Sequence, residues 1–503
     1  MHPVIAAIGR CAAAHPHRPA LADHRRAVTY RALSGAIGET AVELRVREPR
    51  VVAVALDNSP EWVVVDLALL AGRVPCLPLP GFFSPLQHWH AITEAGADWI
   101  VTDRPDFFLG LLRGNGVPSA RAPDLELFGR RVAQIRAVLP DRPHLPHYTT
   151  KITYTSGTTG QPKGVCLDGA ALGTVAGALA AACALTAADR HLSLLPLATL
   201  LENVGVYATL LAGGRCVLPP LPDVGTLGAA GVEPDRMLES LHKTGATTAI
   251  TVPQMLRALV EQVASGAAAP AALRFLAVGG APVAPALPEY ARTLGLPVYE
   301  GYGLSECASV LTLNRPGAQR NGSVGRPLPH VKLSFAGDGQ IHAEGALFLG
   351  YCPAGAPVTP PWPTGDIGRV DGDGYVYLEG RKKEFFVTSY GRNVSPEWIE
   401  TALNAEPEIA QAWVSGEARP WIAAVVSPRD GTPDIAVNSA IERVNASLPD
   451  YARVQRWIRS REPFSTATGE LTGNGRLRRH ALRERYRSQI DTLYLERTHE
   501  LLR

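Results

Sequence analysis

The sequence predicts an α/β protein: a large N-terminal domain of parallel sheets flanked by helices, closed by an antiparallel β region, and a small α+β domain after it. Three observations predict this. Apolar runs alternate with amphipathic stretches from Val51 to about residue 300, as strand–helix–strand units do. After about residue 320 the texture changes to short runs with Gly and Asp at turns. The charged break Gly380-Arg-Lys-Lys-Glu then precedes a stretch with its own helix and strand patterns, so the domains are set at 1–380 and 381–503.

The first unit reads as an apolar strand from Val51, a helix from Pro60 to Leu70, and a second strand ending in Leu-Pro-Leu-Pro. Strands are also expected at Trp99–Thr102, Arg215–Leu218, Ala249–Val252 and Leu273–Val278, with a helix at Pro234–His242. Apolar runs of this kind suit a parallel sheet covered on both faces. Val370-Asp-Gly-Asp-Gly-Tyr-Val-Tyr reads as a hairpin, because Asp-Gly supplies the turn. In the small domain, helices are expected at Pro396–Asn404 and Asp434–Ser447, and strands near Ala410–Val414 and Trp421–Val426. The arginines from Arg476 to Arg487 come with leucines at irregular spacing and read as a solvated helix face.

With 46% hydrophobic and 19% charged residues in a chain of 503, more than one hydrophobic core is expected. Basic residues number 49 and acidic 47, so the field is too weak to suggest nucleic acid as a partner, and a small charged substrate fits better. Seven cysteines without paired spacing argue against a disulfide framework and a zinc site, and for a reducing cytoplasm. Arg10 and the His15–Arg18 stretch interrupt any secretory signal. The uncharged stretch Gly169–Ala188 is Ala-, Gly- and Thr-rich and predicts a buried helix, so no transmembrane segment is expected.

The chemistry is concentrated in a few motifs. In Tyr154-Thr-Ser-Gly-Thr-Thr-Gly-Gln-Pro-Lys-Gly-Val165, the glycines, among them Gly157 and Gly160, let backbone N–H groups turn toward an anion. Thr155, Ser156, Thr158 and Thr159 add hydroxyls and Lys163 adds a positive charge. Such a loop suits a polyphosphate, although it lacks the Walker spacing. Further along stand Tyr299-Glu-Gly-Tyr-Gly-Leu-Ser-Glu306, Thr364-Gly-Asp-Ile-Gly-Arg369, Gly380–Glu400 and Glu470-Leu-Thr-Gly-Asn-Gly-Arg476.

These motifs, in this order from about residue 15 to 480, resemble those of the superfamily of acyl-CoA synthetases, peptide-synthetase adenylation domains and luciferases, in style nearest to long-chain fatty acyl-CoA synthetases. The resemblance implies ATP-dependent activation of a carboxylic acid, a fatty acid above all, through acyl-AMP, with transfer to coenzyme A. An acyl carrier protein as acceptor and a binding protein impaired in turnover are the alternatives. It implies ATP and Mg2+ as cofactors, with Glu306 and Thr158 toward the metal, Tyr302 between Gly301 and Gly303 against adenine, and Asp366 and Arg381 toward the ribose. Lys383 would be the hinge of a mobile C-terminal lid, and Gly391 would approach the thiol channel. The family usually has Lys where this chain has Arg476; the guanidinium keeps the charge with a different geometry. In Leu195-Pro-Leu-Ala-Thr-Leu-Leu-Glu-Asn-Val204, Thr199 stands where long-chain synthetases write His, and no Asp is present to pair an amino group. Thr199, Val204, Val252 and Gly280 are therefore the candidates for an apolar acyl and thiol channel.

Overall fold

The computed structural model describes residues 2–155, 163–226, 232–389, 393–472 and 475–501. Two large sheets form the body of the molecule. Six strands of the first, Val298–Tyr302, Phe275–Val278, Thr248–Thr251, Arg190–Leu192, Arg215–Val217 and Pro19–Ala22, run parallel in that spatial order. In the second, Lys151–Thr155, Cys76–Pro78, Val52–Ala55 and Trp99–Thr102 are the parallel centre. The hairpin Ser119–Leu127/Arg130–Ala137 extends it, an element without a forecast in the sequence.

Between the sheets lies the largest core, to which the helices Tyr30–Val46, Pro60–Gly72, Gly169–Ala182 and Leu200–Leu211 all contribute. Pro60–Gly72 starts where Ser59 accepts from the Trp62 N–H and Pro60 takes the first turn, the favoured arrangement at a helix N-terminus. Inside this core the Lys151 ammonium donates to Asp66 at 2.7 Å and to Asn203. Tyr207 and Asn203 also donate to Asp66, at 2.6 and 3.0 Å. A buried ion pair is tolerated when its remaining hydrogen bonds are made, and this one fixes the strand entering the Tyr154–Val165 motif against two helices. Gly169–Ala182 is the buried helix expected of the uncharged stretch, and among the described residues no helix is long and apolar enough to cross a membrane.

The antiparallel region is a four-stranded sheet, Val331–Phe335, Gln340–Gly345, Trp362–Val370 and Val376–Arg381. Its last two strands are the expected hairpin, whose turn is held by Asp371 accepting from the N–H groups of Asp373 and Tyr375. From Phe386 onward a separate core forms around the strands Ile409–Ser415, Ile422–Pro428 and Val454–Arg459. The helices Pro396–Ala405 and Asp434–Ser447 pack on one face of this sheet.

The C-terminal helix Arg479–Leu501 covers the other face, contrary to the reading of it as a solvated surface. Leu482, Tyr486, Ile490 and Tyr494 recur every four residues and bury themselves against Trp413, Trp421 and Phe464. The stripe is half aromatic, so counting leucines missed it. Arg479 is drawn inward to Glu384 and Glu400, while Arg483 pairs with Glu417 and Arg485 with Glu470 from the exposed side of the helix. All seven cysteines are free and buried.

Candidate active site

The C-terminal ends of the parallel strands open into one cavity of about 900 Å³, closed on its other side by the small domain. The strand Phe275–Val278 delivers Gly279 and Gly280 to its wall, and Val298–Tyr302 delivers Gly301 to Glu306. Open α/β sheets bind ligands at this edge. Side-chain-free positions are needed here: a Cβ on Gly303 would lie 1.6 Å from the Ser309 carbonyl oxygen, and Gly280 has φ +79°, a conformation glycine adopts at little cost.

The structure brings most of the expected residues to this cavity. Lys163, Gly301, Tyr302, Gly303, Glu306, Arg381, Lys383 and Arg476 line it, as do Thr199, Val252 and Gly280. Thr155 ends its strand in register with Lys163. Ser156, Gly157, Thr158, Thr159 and Gly160 lie outside the described residues, as does Gly391. Val204 is a correction: it is fully buried in the inter-sheet core and takes no part in the wall. Its neighbour Gly205 does, because the 3.6-residue period of the helix turns Val204 to the other face.

Asp366 lies directly against two of the lining residues, Tyr302 and Arg381. It is buried one layer behind the wall, where Tyr302 donates to it at 2.5 Å and the Arg381 guanidinium lies 2.7 Å away. Burial raises its pKa, with Arg381 opposing the shift. The carboxylate thus orients Tyr302 and Arg381, two groups that do face the cavity.

Glu306 accepts a hydrogen bond from the Tyr351 hydroxyl at 2.9 Å, and the Lys163 ammonium stands 5.2 Å from the centroid of the same ring. Tyr351 therefore joins the two charged groups. It had no signal in the sequence reading, because it sits on the short strand Gly350–Cys352, which joins the second sheet beside Lys163–Leu167. Glu306 offers one hard oxygen donor group on the same cavity wall as Lys163, and no cluster of three metal-ligating side chains exists among the described residues. That donor set fits Mg2+, which commonly takes one or two carboxylates and completes its shell with phosphates and water.

From the small domain Arg476 enters the mouth and donates to the Gly280 carbonyl. Solvent reaches part of the side chain, yet burial in the cleft first and Arg381 second lower its pKa. A guanidinium starts so high that it stays charged there, whereas an ammonium would be brought nearer neutrality. Lys383 is exposed at the crossover, while Lys382 is held by Asp338 at 2.6 Å. The geometry is a cation-rich mouth, with Glu306 and the Arg479-paired Glu384 among its lining, in front of a largely apolar recess, suited to an anionic head and a greasy tail.

Comparison with known proteins agrees with this picture. A long-chain-fatty-acid–CoA ligase of Mycobacterium bovis is 32% identical over 246 residues, 43% of this chain and 41% of that protein. The match therefore spans about two fifths of that relative's length. An indoleacetate–CoA ligase of Aromatoleum aromaticum is 29% identical over 84% of this chain and 88% of its own. Among solved structures, the o-succinylbenzoate CoA synthetase of Bacillus subtilis in complex with its acyl-adenylate intermediate superposes with a TM-score of 0.76 at 22% identity, covering 95% of this chain and 97% of that one. That likeness concerns the fold. The profile of the AMP-binding enzyme family matches residues 8–346 and that of the AMP-binding enzyme C-terminal domain matches residues 383–498, and the chain accordingly belongs to the AMP-binding enzyme family.

Proposed function

We propose that this protein is an acid–thiol ligase that couples a carboxylic acid, in the first place a fatty acid, to AMP at the expense of ATP and passes the acyl group to coenzyme A. The observation that carries the reading is the convergence of Lys163, Glu306, Arg381 and Arg476 on the mouth of one cavity whose interior is mostly apolar. The relatives named for long-chain fatty acid and for indoleacetate both act with coenzyme A, which supports the acceptor and an uncharged tail.

A carboxylate is a weak electrophile, and joining it to AMP gives its carbonyl a good leaving group. Attack on the α-phosphate is largely a matter of positioning and neutralising charge. Lys163 and Arg381 would hold the phosphates, and Arg476 would steer the substrate carboxylate toward them. Tyr302, fixed by Asp366, would offer its ring to the base. Glu306, with Thr158 of the adjoining loop, would hold Mg2+, which when bound neutralises polyphosphate charge. Residues 1–380 would bind ATP and acid, and residues 381–503 would act as a lid turning about Lys383, withdrawing Arg476 and admitting the thiol past Gly391. The pairing of Arg479, Arg483 and Arg485 within the small domain leaves less basic surface for an acidic carrier protein and favours coenzyme A.

The test is pyrophosphate release from MgATP with a panel of fatty, aryl and amino acids, with and without coenzyme A. Acid-dependent release with thioester formation, lowered at least 100-fold in Glu306→Ala, is expected. Absence of release with every acid, from a protein that still binds ATP, overturns the reading.

A further inference from the structure

The recess behind the mouth runs the depth of the first sheet. Its wall follows the strand Phe275–Val278 on to Gly279 and Gly280, and is mostly apolar through Leu195, Leu201, Ile250 and Met255. Its floor is not. His191, Thr248 and Thr209 line the inner end, and each is less than 5% exposed. His191 and Thr248 lie opposite each other on paired strands. Gly205 on the facing helix clears the space: a Cβ there would fall 2.6 Å from Ile250 Cδ1 and 3.4 Å from His191 Nε2.

The hydrogen bonds at this floor have a direction. His191 Nε2 lies 3.0 Å from a carboxylate oxygen of Glu202, and Nδ1 lies 3.1 Å from the Thr248 hydroxyl. For a neutral imidazole this sets the tautomer: a carboxylate only accepts, so Nε2 carries the proton and Nδ1 accepts from Thr248. Thr209 gives its proton to the Gly205 carbonyl at 3.0 Å. The second oxygen of Glu202 is buried and has no partner. The hydroxyl protons of the floor are thus spent, while lone pairs on the Thr248 and Thr209 oxygens remain. A chain end that donates to these oxygens gains a hydrogen bond that a plain alkyl terminus lacks.

We propose that this floor is a specificity subsite for a hydrogen-bond donor at the far end of the acyl chain, and that the preferred acids carry a terminal hydroxyl on an otherwise apolar tail. The inference rests on the ligase reading and narrows its substrate class. A terminal carboxylate or keto group brings no proton and is disfavoured by the same acceptors. A charged ammonium would have to cross the apolar walls dehydrated.

Calorimetric titration with matched pairs of non-hydrolysable acyl-adenylate analogues, one methyl-ended and one hydroxyl-ended at each chain length, tests this without requiring turnover. The parent protein is expected to bind the hydroxyl-ended member at least tenfold more tightly at the best length. Thr248→Val, close to the native shape, should abolish the preference, and Thr248→Ser, which restores the hydroxyl, should keep it. Equal or tighter binding of the methyl-ended member by the parent, or an unchanged preference in Thr248→Val, overturns the subsite. Binding of neither analogue overturns the ligase reading and the subsite with it.

Discussion

Tyr351 shows how much of the site depends on one neutral side chain. Its hydroxyl fixes Glu306 and its ring faces Lys163, so Tyr351→Phe separates the two contacts. A hydrogen bond to a charged group contributes about 1.5–3 kcal/mol; Tyr351→Phe is expected to lower kcat/KM for MgATP at least tenfold while the ring contact persists, as steady-state kinetics would reveal. Glu306 and Lys163 were legible as chemistry because each stands in a glycine-rich motif. Tyr351 was not, being 45 residues from Glu306 in an ordinary strand. The placement of Val204 failed to transfer for a related reason: a motif gives the order of residues but not which layer of packing each reaches.

His88 is a second residue with a measurable consequence. Fully buried against Phe83, Phe107 and Phe108, it has no partner for either ring nitrogen. Burial, then Arg104, pushes its pKa from 6.5 down to about 4. The unfolded chain binds this proton first on acidification, so the stabilisation is present above pH 6.5 and is lost as pH falls toward 4. His88→Phe should remove a contribution of up to about 3 kcal/mol from the acid limb, flattening stability against pH in that window in denaturant titrations.

At the scale of elements, strands and helices with a strong period were readable nearly to the residue. Trp99–Thr102 and Asp434–Ser447 fall where the pattern put them, since local sequence decides both a buried apolar run and a helix with a clear stripe. The C-terminal helix was misread because its buried face mixes leucine, isoleucine and tyrosine among arginines, and the partners of Arg483 and Arg479 lie 66 and 95 residues away. Leu482→Ala, at a fully buried position of that face, is expected to destabilise the small domain by about 2–5 kcal/mol, seen as an earlier unfolding transition. The hairpin Ser119–Leu127/Arg130–Ala137 was invisible for the opposite reason: one strand alternates too weakly to announce a buried face.

For the whole molecule, the two family profiles leave residues 347–382 between them, a stretch that includes the start of the charged break at Gly380. Beyond the crossover itself, where Arg381 and Lys382 pair with Asp366 and Asp338, the described residues include two polar contacts between the cores. Arg476 reaches Gly280, and Arg429 of the small domain pairs with Glu261 of the helix Pro253–Ala264 at 2.8 Å. An exposed ion pair of this kind contributes about 0.2–1 kcal/mol. Arg429→Ala is therefore expected to slow acid-dependent pyrophosphate release by no more than about fivefold, and to leave thioester formation from a preformed acyl adenylate unchanged. A large loss in both half-reactions, measured separately, would show that the pair holds more than one arrangement together. How the domains face each other had no counterpart in the sequence, because contacts this sparse leave no periodic trace.

The burial of all seven cysteines has a practical side. With its native thiols shielded, the folded protein offers a silent background for maleimide dyes or spin labels. New cysteines at exposed Tyr290 on the large domain and Ile435 on the small one would then carry the whole signal. The distance between the two labels, followed through nucleotide, acid and thiol addition, would test the turning proposed for the small domain.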